Sequence, residues 1–80
     1  MRCDEDKVND AVLALLMLTA HEEGEFAARA WKGHDWDVLN RLHEKGFIGD
    51  PVSKAKSVLL TPAGLAKGRK LFEELFAKPS

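Results

Sequence analysis

The dipeptide Thr61-Pro62 restricts what this chain can fold into more than any other feature. Threonine is a preferred helix N-cap, and proline fits the first helical position, where a missing N–H has no partner to lose. A helix therefore begins at residue 62, and the chain before it must be extended. Lys56-Ser57-Val58-Leu59-Leu60 is such a run, and Asp50-Pro51 marks a turn upstream of it. Phe47-Ile48 opens the matching extended segment, which leaves Val52-Ser53-Lys54-Ala55 as the exposed tip of a hairpin. Before the hairpin, Gly46 is a natural left-handed terminator for a helix over 36–45, with Asp35 as its N-cap.

The remaining elements follow from periodicity. Asp4 or Asp6 caps a first helix, with Glu5 and Asp6 placing negative charge at its positive end. Val8, Val12, Leu15 and Leu16 form its expected core stripe, and Leu13, Met17 and Ala20 form a second stripe on another face. A helix apolar on two sides is covered on both, so it lies centrally in the domain or meets a second subunit. Gly24 closes this helix or the turn after it. Phe26, Ala28 and Ala30 suit a short strand, although the alanines suit a helical turn equally well. In the last helix Leu65, Phe72, Leu75 and Phe76 face inward, with Gly64 and Gly68 allowing close helix packing. Lys67, Lys70, Glu73 and Glu74 face water at spacings that allow charge pairing. The expected fold is mainly α with a small β-hairpin, an α+β domain of three main helices spanning residues 1–80.

Leu39-x-x-Leu42-x-x-x-Gly46-Phe47-Ile48 followed by Leu60-Thr61-Pro62-Ala63-Gly64 resembles the helix, wing and closing helix of winged helix-turn-helix proteins of the MarR and PadR type. The likeness covers residues 36–76. With Arg29-Ala30-Trp31-Lys32-Gly33 and Asp35-Trp36-Asp37 added, the whole chain also resembles a small bacterial domain family of unknown function, which implies no activity. The winged-helix resemblance implies duplex DNA as a partner, with the helix before the wing in the major groove and the wing on the backbone. Carried over by position, Arg41 and Lys45 contact DNA from the helix, and Lys54 and Lys56 from the wing. Arg29, Lys32 and His34 add phosphate contacts. Two departures oppose this. Residues 21–35 barely hold a positioning helix plus a strand, and Asp37 and Glu44 neutralise Arg41 and Lys45 on the presumed reading helix.

Charge bears on the same question. Twelve Lys and Arg stand against thirteen Asp and Glu, a net of −1, far from the basic balance of a dedicated nucleic-acid binder. Residues 1–25 carry a net of −5, while 26–56 and 57–80 each carry +2, so an anionic partner meets the middle or end of the chain. The single Cys3 allows no disulfide within the chain and suits a reducing, cytoplasmic setting. No signal sequence is evident, and the longest apolar run, Ala11 to Leu18, is too short to cross a membrane.

Nothing points to catalysis or to a cofactor. There is no nucleophile pattern, no glycine-rich phosphate loop and no tyrosine. His21, Glu22 and Glu23 adjoin but point apart on a helix, His43 lacks a good partner, and Cys3 lacks a second cysteine, so no metal site is expected. No small-molecule ligand is evident either. Trp31 and Trp36 are expected to close the turn before the second helix, with stacking on a base or ligand as the alternative. The leading expectation is a small winged-helix binding module with weak or regulatory DNA binding. The alternative is a scaffold for protein contact, self-associating through Leu13, Met17 and Ala20.

Overall fold

The computed structural model describes residues 4–22, 28–52 and 55–78. Helix α1 spans Glu5–Leu16, strand β1 His21–Glu22, strand β2 Ala28–Trp31, helix α2 Trp36–Glu44, strand β3 Ser57–Leu60 and helix α3 Pro62–Phe76. The strands form one antiparallel sheet in the order β1-β2-β3. The described residues thus form three helices and a small antiparallel sheet, an α+β domain whose layout is consistent with a winged-helix-like arrangement. No helix of the described residues is long and apolar enough to cross a membrane.

Local chemistry sets the helix ends. The Lys7 amide donates to Asp4 at 3.1 Å, so Asp4 and not Asp6 caps α1. One oxygen of Asp35 accepts from the amides of Asp37 and Val38, closing the start of α2. Gly46 follows that helix with φ 80°, a conformation that disfavours any side chain. Thr61 does more than cap α3. Its Oγ1 accepts from the Gly64 amide at 3.0 Å and donates to the Gly46 carbonyl at 2.6 Å. Its own amide donates to the Phe47 carbonyl at 3.1 Å. One residue thus ties the end of α2 to the start of α3.

The hairpin returns as expected but is narrow. Ile48 bridges Leu60, and the Gly49 amide donates to the Leu59 carbonyl at 2.8 Å. The longer partner of β3 is β2, with Ala28 opposite Leu60, Arg29 opposite Leu59, Ala30 opposite Val58 and Trp31 opposite Ser57. Alternation puts Ala28, Ala30, Val58 and Leu60 on the buried face and Arg29, Trp31 and Leu59 on the outer one. The strand reading of 28–30 therefore holds. Phe26, Gly24 and the tip residues Ser53 and Lys54 lie outside the described residues.

The core joins Leu13 and Leu16 of α1 with Val38, Leu39 and Leu42 of α2, Ile48, and the inner face of the sheet. Of the expected core stripe of α1, Leu16 is fully buried and Val8 and Val12 pack against the core, while Leu15 is only partly buried. Of the second stripe, Leu13 is fully buried at 0% exposure. Met17 and Ala20 are half-buried against the same core. The two-sided apolar helix is central to the domain, because α3 crosses it on the Leu13–Met17 side. Gly68 lies at that crossing: a Cβ there would come 2.7 Å from Met17 Cε, the flexible end of a side chain that can move aside, and 3.4 Å from the Leu13 carbonyl oxygen.

The end of α3 also departs from expectation. Leu65 and Phe72 are partly buried, but Leu75 and Phe76 are exposed. The stripe is continuous along the helix, yet its last turn runs past the core.

Candidate functional site

The described cationic candidates fall into two groups. Arg29, Lys32 and Arg41 are held by the protein itself. Arg29 Nε donates to Ser57 Oγ at 2.8 Å and its Nη2 to the Ser57 carbonyl at 3.0 Å, laying the guanidinium along the outer face of the sheet. Lys32 Nζ donates to the Pro51 carbonyl at 2.7 Å and lies 5.9 Å from the centroid of the Trp36 ring. Arg41 Nε donates to Asn9 Oδ1 at 2.8 Å, and its Nη1 lies 3.9 Å from a Glu5 oxygen. The expected pairing of Arg41 with Asp37 and Glu44 is therefore replaced by contacts to α1.

Lys45 and Lys56 form the second group. Both are exposed, and neither ammonium has a hydrogen bond or ion pair to the described residues. Lys54 lies outside the described residues. Of the histidines, His34 is partly buried after β2, and His43 Nδ1 donates to the Ile48 carbonyl at 3.1 Å, fastening the base of the hairpin. The described residues contain no helix between α1 and α2, where a helix-turn-helix carries its first helix; β1 and β2 occupy that stretch.

The tryptophans do not close the turn by burial. Trp31 is 58% exposed and Trp36 53%. Trp31 extends from the outer face of β2, its ring against Gly33, where a Cβ would come within 2.9 Å of it. Its amide is anchored by Thr19 Oγ1 at 2.9 Å. Leu59, diagonal to Trp31 on the neighbouring strand, is also exposed. Arg29, Trp31 and Leu59 thus share one side of the sheet, the guanidinium fixed and the two apolar side chains open to solvent.

A second feature lies where the three helices meet. A cleft of about 430 Å³ is lined by Asp6, Asn9 and Asp10 of α1, Leu42 of α2, Lys45 and Phe47 after it, and Lys67 of α3. Lys67 Nζ lies 5.4 Å from the centroid of the Phe47 ring. The sequence reading missed this cleft. Its only trace there is Asn9, a polar residue one helical turn before the buried Leu13. Among the described residues, no three metal-ligating side chains gather into a metal site.

The comparisons with known proteins agree with one another. Residues 4–78 match the family described as "Domain of unknown function (DUF6429)". The chain is 54% identical over 78 residues to a protein of Sinorhizobium fredii (strain NBRC 101917 / NGR234) described as "Uncharacterized protein y4hR", covering 98% of this chain and 100% of the relative. No solved structure matches. The short sheet, the doubly covered α1 and the capped α3 all lie within the matched span, and the chain belongs to this domain family of unknown function.

Proposed function

We propose that the protein is a non-catalytic binding module that recognises another protein through the outer face of its sheet. The observation that carries this reading is the exposure of Trp31 and Leu59 beside a guanidinium already fixed by Ser57. Tryptophan and arginine dominate the energetics of protein interfaces, and a side chain held in place before binding loses little entropy on docking. Charge supports the same choice. Arg29, Lys32 and Arg41 are engaged within the fold, and the net charge of −1 gives no general attraction to phosphate. The single Cys3 fits a reducing, cytoplasmic setting.

The test places a photoactivatable amino acid at position 31 or 59, with position 70 on the far side of α3 as a control, and crosslinks in living cells. The expected result is a discrete protein adduct at 31 and 59, identified by mass spectrometry, that is absent at 70. Equal labelling at all three positions, or adducts with nucleic acid alone, would overturn the reading.

A further inference from the structure

We infer that the cleft at the junction of the three helices binds a small zwitterion of the amino-acid or dipeptide class. Its carboxylate would meet Asn9, Lys45 and Lys67, and its ammonium would meet Asp6 and Asp10.

Asn9 is the first reason. The residue is 3% exposed. Arg41 Nε donates to its Oδ1, which determines the end of the amide that carries the nitrogen. Its Nδ2 has no hydrogen-bond partner among the described residues. Among the described residues no fully buried side-chain nitrogen or oxygen lacks a partner, so Nδ2 touches solvent, and Asn9 lines the cleft. An acceptor on a ligand there would take the place of the water that Nδ2 meets.

The second reason is the charge around it. Asp6, Asp10, Lys45 and Lys67 line one cleft, yet none lies within 4.0 Å of an opposite charge among the described residues. A purely anionic ligand would be repelled by the carboxylates, and a purely cationic one by the ammoniums. A molecule carrying both charges a few bonds apart meets each with its opposite. The half-buried Phe47 ring supplies an apolar wall, which suits an aliphatic side chain.

The test is a titration of ¹⁵N-labelled protein with L-leucine and with glycyl-L-leucine, followed by NMR. The controls, 4-methylpentanoate and isoamylamine, each carry one charge. At least one zwitterion should give saturable shifts of the Asn9 side-chain amide and of the Asp10 and Phe47 backbone amides, with a Kd of about 1 mM. The tighter of the two then gives the spacing of the ligand's charges. Lys45→Ala and Asp6→Asn, both at exposed positions, should each weaken binding about tenfold while leaving the rest of the spectrum unchanged. The proposal fails if neither zwitterion moves the Asn9 amide saturably, which would leave the cleft to water. It fails equally if the singly charged controls bind as well, or if both variants bind like the parent.

Discussion

Gly64 lies directly against the backbone of Phe47, and a Cβ at residue 64 would collide with the Phe47 carbonyl. The contact sets how deeply α3 settles onto the base of the hairpin. Gly64→Ala should destabilise the domain by about 2–3 kcal/mol, because the obstacle is backbone and cannot rotate away. Gly68→Ala is the natural comparison. Its obstacle is the mobile end of Met17, so the strain is small and is offset by about 1 kcal/mol of improved helix propensity. Urea unfolding of the two variants should separate them clearly; equal losses would show that the Phe47 contact does not limit docking.

The bond between Arg41 and Asn9 links α2 to α1 across the core edge. Arg41→Met leaves a nearly buried carbonyl oxygen without its charged donor and should cost about 1–3 kcal/mol. Asn9→Leu combined with Arg41→Met removes both polar partners and should recover much of that loss. A double-mutant cycle by chemical denaturation measures the coupling, and strict additivity would mean the pair is incidental.

Leu13 is core, and Leu18 beyond the end of α1 is exposed. Leu13→Ala should cost about 2–5 kcal/mol, and Leu13→Glu should prevent folding at any protein concentration. Leu18→Glu should leave the thermal midpoint nearly unchanged. Circular dichroism melts over a range of concentrations check all three. A folded Leu13→Glu protein would return this residue to an interface role.

Duplex DNA binding should be weak and only shallowly salt-dependent. With Arg29, Lys32 and Arg41 engaged, Lys45 and Lys56 are left exposed, and Lys54, outside the described residues, adds at most a third contact. Three phosphate contacts give a slope no steeper than about −3 in log K against log salt. Fluorescence anisotropy with a labelled duplex measures it. A slope near −6 or beyond would mean that the engaged arginines and lysine leave their present partners for phosphate.

The elements legible in the sequence were those governed by neighbours along the chain. Asp35, Gly46 and Thr61-Pro62 act within a few residues of themselves, and each performs the expected role. On α1 the two apolar faces were legible, and Leu13 and Leu16 are both core. The burial of Asn9 beside them was not, because its partner Arg41 comes from another helix. Strand β2 was ambiguous for a related reason. Ala28 and Ala30 are small because they lie opposite Leu60 and Val58 on the covered face, and alanine by itself favours a helix. The surface charges were misjudged where a long side chain could choose between a near partner and a distant one. Arg41 chose α1, and no ion pair forms among Lys67, Lys70, Glu73 and Glu74. The helix-junction cleft draws on α1, α2 and α3 together, so no window of sequence displays it.

The narrow base of the hairpin has an evolutionary corollary. Ile48, Gly49, Leu59 and Leu60 secure the ribbon at its root, with Thr61 and His43 clamping the same spot from either side. Extra residues inserted beyond that root would leave the covered face of the sheet untouched, and lengthening a closed loop carries only a shallow entropic penalty. Members of the family should therefore diverge in length between residues 52 and 55 more readily than anywhere else in 36–76, acquiring new reach without rebuilding the domain beneath.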